Sequence, residues 1–152
     1  DMYMQVKEVK PINFIYYRTF TTVGDLINLI PVAKEIYREA VDNNLHITGP
    51  IHWHYHNFIG HDKQFTLEIA LPVGDVLSDY DGKFHFKRTE PFKCVAEVHE
   101  GGWMEIPHTY NKMMQFISKQ RMEPSLMNRE IYVNSDFHVP DANVTEIQIG
   151  IK

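Results

Sequence analysis

The sequence predicts an α+β fold made of two copies of a strand–helix–strand–strand unit. Three observations carry this. Short motifs recur in one order: Val9-Lys10-Pro11 ahead of an apolar run is answered by Thr89-Glu90-Pro91 ahead of another, and Ile30-Pro31 by Ile106-Pro107. Trp53-His54-Tyr55 is likewise answered by Glu130-Ile131-Tyr132, and Leu67-Glu68-Ile69 by Thr145-Glu146-Ile147. Matching residues lie 80, 76, 77 and 78 positions apart, a drift that a few inserted residues ahead of the first helix explain. Strand and helix periodicities then alternate in the same order within each copy. The composition, 43% hydrophobic and 23% charged over 152 residues, is that of a folded chain with one core.

The elements follow in turn. Residues 13–19 are rich in aromatic and β-branched side chains, which favours a strand. Pro31 suits the first turn of a helix, where its missing N–H costs nothing. Ala33, Ile36, Tyr37, Ala40 and Val41 repeat at helical spacing and predict one apolar face. Asn43-Asn44 and Gly49-Pro50 end that helix. Residues 51–58 and 65–73 are the next strands, and 74–83 form a polar loop with the turn pair Asp81-Gly82. The second copy places a strand at 93–99 and a helix at 107–120 carrying Tyr110, Met113, Met114 and Ile117 on one side. Pro124 stops that helix, and strands at 129–134 and 144–151 close the chain. The whole reads as one domain over 1–152, with repeats at about 5–74 and 84–152 and a linker at 75–83.

Charge and cysteine usage narrow the function. Fifteen basic against 20 acidic residues leave a formal charge of −5, which argues against direct nucleic-acid binding and against docking on an anionic membrane. One cysteine, Cys94, excludes an internal disulfide framework and a cysteine-based zinc cluster, and its apolar neighbours predict a buried, inert thiol. No apolar run approaches the roughly 20 residues of a membrane span, and no secretory signal opens the chain, so a cytoplasmic location is expected.

The strand alternation points to a site. Ile147, Ile149 and Ile151 share one face of the last strand, and Leu67, Ile69 and Leu71 one face of an earlier one. Helices are expected to cover this aliphatic face, because sheet and helix stripes bury each other. With Ile131 and Val133 assigned to the same side, the opposite face collects Glu68, Glu130, Glu146, Tyr132 and Gln148. Glutamates and an aromatic ring without lysine fit a cleft better than a solvated surface.

Several motifs resemble those of one family. His99-Glu100-Gly101-Gly102-Trp103 is similar to a His-x-Gly-Pro-Tyr turn, and Glu105-Ile106-Pro107 to a Glu-Leu-Pro helix start. Gly49-Pro50 precedes a strand, Arg129-Glu130-Ile131-Tyr132 resembles Arg-Glu-Val-Tyr, and Thr145-Glu146-Ile147-Gln148 resembles a closing Glu-x-Gln strand. Together, in this order, they resemble the GyrI-like small-molecule-binding domain, also called the bacterial transcription-activator effector-binding domain. Gly102 stands where that family carries proline, Trp103 where it carries tyrosine, and Asn57 where aspartate is common. The resemblance implies duplicated SHS2-like β-α-β-β repeats with an antiparallel sheet and a ligand cleft between the halves. It implies a central acid at Glu130, a second at Glu146, and an aromatic wall including Trp53, Tyr55, Trp103 and Tyr132. It also implies multidrug-type binding of hydrophobic, often cationic compounds in transcription regulation, with cyclopropane-type hydrolases and gyrase inhibition as other outcomes.

The chemistry agrees with that implication. A carboxylate in a poorly solvated aromatic cleft is strained, and a bound cation relieves it. Aromatic faces add about 0.5–2 kcal/mol of cation–π attraction each. The expected ligand-binding set is therefore Glu130, Glu146, Glu68, Trp53, Tyr55, Trp103, Tyr132 and Gln148, with a small molecule as partner and no cofactor. The alternative for each glutamate is a bond to backbone amides or a tyrosine hydroxyl, and for each ring ordinary core packing. If the cleft catalyses, Glu130 is the general acid and base; no nucleophile elbow or Cys–His pair is present. A protein partner or homodimer stays open.

The remaining motifs are weaker. His52, His54 and His56 share a strand face at about 6.6 Å spacing, close enough for two imidazoles to hold a metal, but a partly covered polar face is the favoured reading and no metal is expected. His99 is expected to fix its turn. Asp79-x-Asp81-Gly82 lacks the later glutamate of a calcium loop.

Overall fold

A computed structural model describes residues 4–152. The chain order is β1 (Gln5–Val9), β2 (Asn13–Thr21), α1 (Ile30–Asp42), β3 (His52–His56), β4 (Phe65–Pro72), β5 (His85–Arg88), β6 (Phe92–Glu100), α2 (Ile106–Lys119), β7 (Pro124–Asn134) and β8 (Val144–Ile151). Short 3-10 turns precede both helices and β8. All eight strands join one antiparallel sheet in the order β1-β6-β8-β7-β3-β4-β2-β5. Read from its centre outward, each half is the mirror of the other: β3-β4-β2 answers β7-β8-β6. The duplicated α+β architecture is therefore present, with β3 and β7 as the seam between halves.

Two strands lie where sequence analysis placed none. β1 and β5 are short and polar, and each pairs with the edge of the other half: β1 with β6, β5 with β2. Pro124 does not merely stop a helix; it opens β7, whose register against β8 shifts between Pro124 and Asn128.

The helices obey their sequence signals. A proline occupies the first turn of each. Each ends on a left-handed residue, Asn44 (φ 56°) or Arg121 (φ 56°). The next amide then reaches back, Leu45 N–H to Ala40 O at 2.9 Å and Met122 N–H to Ile117 O at 3.0 Å. The two copies thus share a helix stop as well as a start. Buried stripes are Ile36 and Ala40 on α1, and Ile106, Thr109, Met113 and Ile117 on α2. Val41 and Met114, expected on those stripes, are 61% and 43% exposed. Each falls one position beyond a buried residue, and so a 100° turn away from it.

Both helices pack on one sheet face. α1 covers Ile15, Phe65, Leu67, Ile69 and Leu71; α2 covers Val95, Ile147, Ile149 and Ile151. Gly150, on the far face of β8, marks where the shifted start of β7 crowds its neighbour. A Cβ there would fall on Ser125 Oγ and the Met127 carbonyl oxygen, with the Phe92 ring 2.9 Å away. Gly150→Ala is expected to lower stability by roughly 2 kcal/mol through overpacking, read as a shifted urea midpoint with unchanged slope; an unchanged midpoint would show that β7 yields freely.

Candidate functional site

Glu130 lies on β7 opposite Trp53 of β3 and Ile147 of β8. Residues directly across a ladder point to the same face, so Glu130 shares the helix-bearing side with the aliphatic core. This corrects the expected alternation. It is Ile131 and Val133 that turn away, Val133 being 54% exposed, while Glu130 and Tyr132 turn inward. The candidate site therefore lies on the helix side, at the seam between the halves, and not on the opposite face.

Three tyrosines surround the carboxylate. Tyr110 of α2 donates to Oε2 at 2.8 Å, and Tyr132 donates to Oε1 at 2.7 Å. Tyr55 of β3 stands close by and also acts to lower the carboxyl's pKa. Glu130 is 7% exposed. Burial raises its pKa, and Tyr132, Tyr110 and Tyr55 oppose that rise without cancelling it. All three phenols are held well above their ordinary range, by burial first and then by the Glu130 charge.

Rings complete the wall. Trp53 meets Tyr132 edge-on at 5.9 Å, and Trp103 meets the same ring at 6.3 Å. Phe137 packs on the outer side of Trp103 at 5.2 Å. His99 holds Trp103's turn in place: Nδ1 and Thr109 Oγ1 lie 2.8 Å apart, and Nε2 and the Gly102 carbonyl oxygen 2.9 Å. That is the positioning role expected of it.

The expected site residues separate into two groups. Glu130, Trp53, Tyr55, Trp103 and Tyr132 gather at the seam. Glu68, Glu146 and Gln148 stand on the far face, and this part of the expectation is corrected. Glu68 is 1% exposed and bound by Arg18 Nη2 at 2.8 Å, His56 Nε2 at 2.7 Å and Lys87 Nζ at 2.6 Å. Burial alone would raise its pKa, but hydrogen bonds from His56, Lys87 and Arg18 outweigh it and lower the carboxyl to about 2. Glu146 pairs with Lys7 at 2.8 Å and accepts from Gln148 at 2.7 Å. Both glutamates thus hold structural partners. Tyr110 was missed as a site residue because it fits the helix stripe equally well. The available signal is its hydroxyl, which a buried tyrosine must satisfy.

On β3, His52 and His54 face each other while His56 bonds to Glu68. His52 Nδ1 lies 3.1 Å from His54 Nε2, both rings pack edge-on to Phe14, and burial lowers the His52 pKa to about 3. Among the described residues no group of three or more His, Cys, Asp or Glu is arranged to hold a metal ion. Cys94 is fully buried, and burial raises its thiol to about 11. A depression of about 660 Å³ sits at the β1–β6 edge, lined by Lys7, Glu97, Glu100 and Glu146, and another of about 250 Å³ beside Glu68. Neither adjoins Glu130, whose surroundings are filled by the protein's own rings. We place the candidate site at Glu130, where the rings gather; the larger depression lies at an open sheet edge and the smaller beside the ion-paired Glu68.

Comparison with known proteins bears on the family and the fold. The GyrI-like small molecule binding domain matches residues 2–152. No curated protein sequence matches the chain. Among solved structures, the C-terminal domain of EcmrR is similar at a TM-score of 0.83 and 20% identity, covering 98% of this chain and 96% of that one. In the EcmrR–DNA complex the likeness covers 59% of the EcmrR chain. SAV2435 bound to tetraphenylphosphonium is similar at a TM-score of 0.67 and 16% identity, covering 98% and 93% of the two chains. A hydrolase from Listeria innocua is similar at 0.66 and 14%, covering 98% and 91%. These likenesses concern the fold. Among the described residues no helix is long and apolar enough to cross a membrane.

Proposed function

The chain belongs to the GyrI-like small molecule binding domain family, and from that premise we propose that it binds lipophilic cations at Glu130 as an effector-sensing or sequestering module. One observation carries this reading: a carboxylate 7% exposed whose hydrogen bonds come from neutral tyrosine hydroxyls. Such a charge lacks a countercharge in a place where water cannot supply one. A cation entering between Trp53, Trp103 and Tyr132 provides it, and the ring faces add attraction without rotamer cost. Tetraphenylphosphonium, the ligand in the SAV2435 structure, is a suitable probe, because it is bulky, apolar and carries a charge that does not titrate.

Tryptophan fluorescence tests this directly, since Trp53 and Trp103 both contact Tyr132. A saturable change with tetraphenylphosphonium is expected, and none with the neutral isostere tetraphenylsilane. Equal responses to both would remove the role of charge.

Affinity should also depend on pH, with a definite sign. Burial raises the Glu130 pKa above 4.5. Phosphonium binding is then full above the raised value and falls as the carboxylate protonates, about tenfold per pH unit once the group is mostly neutral. The midpoint of that fall is expected above pH 4.5. A pH-independent affinity from 7 down to 4.5 would separate binding from Glu130. The same raised value works against folding: the native state holds this proton more tightly than the unfolded chain. The Glu130 contribution to stability therefore declines as pH rises from about 4.5 through the native pKa.

A further inference from the structure

The residues packed around Tyr132 carry two buried polar atoms with no hydrogen-bond partner, Trp103 Nε1 and Thr145 Oγ1. Buried donors are satisfied in the great majority of cases, so each unpaired one calls for a missing acceptor. Strand pairing and ring packing bring both residues to Tyr132. Thr145 is fully buried on β8, across from Tyr132 on one side and His99 on the other. His99 in turn holds the carbonyl of Gly102, the residue before Trp103. Trp103 then packs edge-on to Tyr132, whose hydroxyl donates to Glu130. The Tyr132 side chain therefore joins two chemically different regions. Its hydroxyl belongs to the anionic region at Glu130, while Thr145 and the Trp103 indole stand beside it with unused donors.

The two donors differ in what they can take. An indole N–H donates only, and a threonine hydroxyl can donate or accept. A purely apolar cation would satisfy Glu130 and leave the indole N–H buried and unpaired. A carbonyl or ether oxygen on the same molecule would satisfy both regions at once. We propose that the preferred ligand is a lipophilic cation that also bears an uncharged hydrogen-bond acceptor, received by Trp103 Nε1 and Thr145 Oγ1 beside the Tyr132 ring. This rests on the cation-binding reading above and extends it to the class of ligand. It also explains why a tryptophan here does more than fill space: a phenylalanine would give comparable ring contact with no donor.

The test compares two phosphonium ions that differ only in the acceptor: (4-acetylphenyl)triphenylphosphonium and its isostere (4-isopropenylphenyl)triphenylphosphonium, with the 3-substituted pair as a second geometry. Isothermal titration calorimetry gives the ketone-to-alkene affinity ratio for wild type, Thr145→Val, Trp103→Phe and Glu130→Gln. Using the ratio removes packing changes that affect both probes alike. In at least one geometry it should fall roughly tenfold in Trp103→Phe, and by a smaller factor in the near-isosteric Thr145→Val, as expected for losing a desolvated hydrogen bond. Glu130→Gln should weaken both probes together and leave the ratio intact. A ratio unchanged in both donor variants and both geometries overturns the acceptor proposal while leaving cation binding in place. Failure of every probe to bind wild type overturns the cation reading, and this inference with it.

Discussion

Tetraphenylphosphonium is expected to bind the Glu130→Gln variant about 100-fold more weakly than the unaltered chain, a loss of about 3 kcal/mol. The size follows from the surroundings. Glu130 is 7% exposed, at the seam of β3 and β7 and beneath α2, so the cation meets it with little water between them. A desolvated charge pair that loses one partner typically costs about 2–5 kcal/mol. Glutamine keeps the shape and can still exchange hydrogen bonds with Tyr110 and Tyr132. It also removes a buried charge, so folding is expected to hold or improve. The combination of weaker binding with undiminished thermal stability is the diagnostic. Calorimetric titration at pH 7 reads the first and a melting curve the second. Loss of affinity under threefold would mean that the aromatic rings, and not the carboxylate, hold the ligand.

Glu68→Gln is expected to lower folding stability by about 3 kcal/mol at pH 7 without changing phosphonium affinity, because Glu68 lies on the far face of the sheet. The carboxylate anchors side chains from three other strands: Arg18 on β2, His56 on β3 and Lys87 on β5. It ties the edge strand β5 back to the body of the sheet. The lowered pKa gives a matching magnitude, since a fall from the usual carboxylate value to about 2 corresponds to about 3 kcal/mol. The share belonging to Arg18, 58% exposed, is reduced by solvent screening. The sign with pH is that of a depressed acid: the contribution is complete above about 4.5 and is lost as pH falls toward about 2. Urea titrations at pH 7 and pH 3 should therefore show the variant converging on wild type at low pH. A difference that stays constant between those two pH values would mean that packing, and not charge, is what glutamine removes.

The sequence carried local structure well. Pro31 and Pro107 started helices because proline fits only the first turn, and Asn44 ended one because it tolerates the left-handed conformation. Strands 65–72 and 144–151 were legible because their β-branched and aliphatic side chains alternate over long runs. The internal repeat was legible because it survives in the order of these local signals. By contrast, Gln5–Val9 and His85–Arg88 have no apolar stripe to announce them. They become strands because the opposite half offers each an unpaired edge, which is a property of the assembled sheet.

The site divides along the same line. Its members Glu130, Trp53, Tyr55, Trp103 and Tyr132 could be named from residue type and motif. Which side of β7 they occupy could not, because Glu130-Ile131-Tyr132-Val133 alternates equally well in either sense and a one-residue choice reverses the face. Local hydrophobicity favours burying Ile131 and Val133. The assembled fold does the opposite, because Tyr110 from α2 and Tyr132 itself converge and supply the hydrogen bonds that a buried carboxylate requires. The sequence by itself determined the elements, their duplication and the residues fit for a cation. Only the tertiary structure decided which of Glu68, Glu130 and Glu146 stays free of a countercharge, because Glu68 and Glu146 owe their partners to strands far away in the chain.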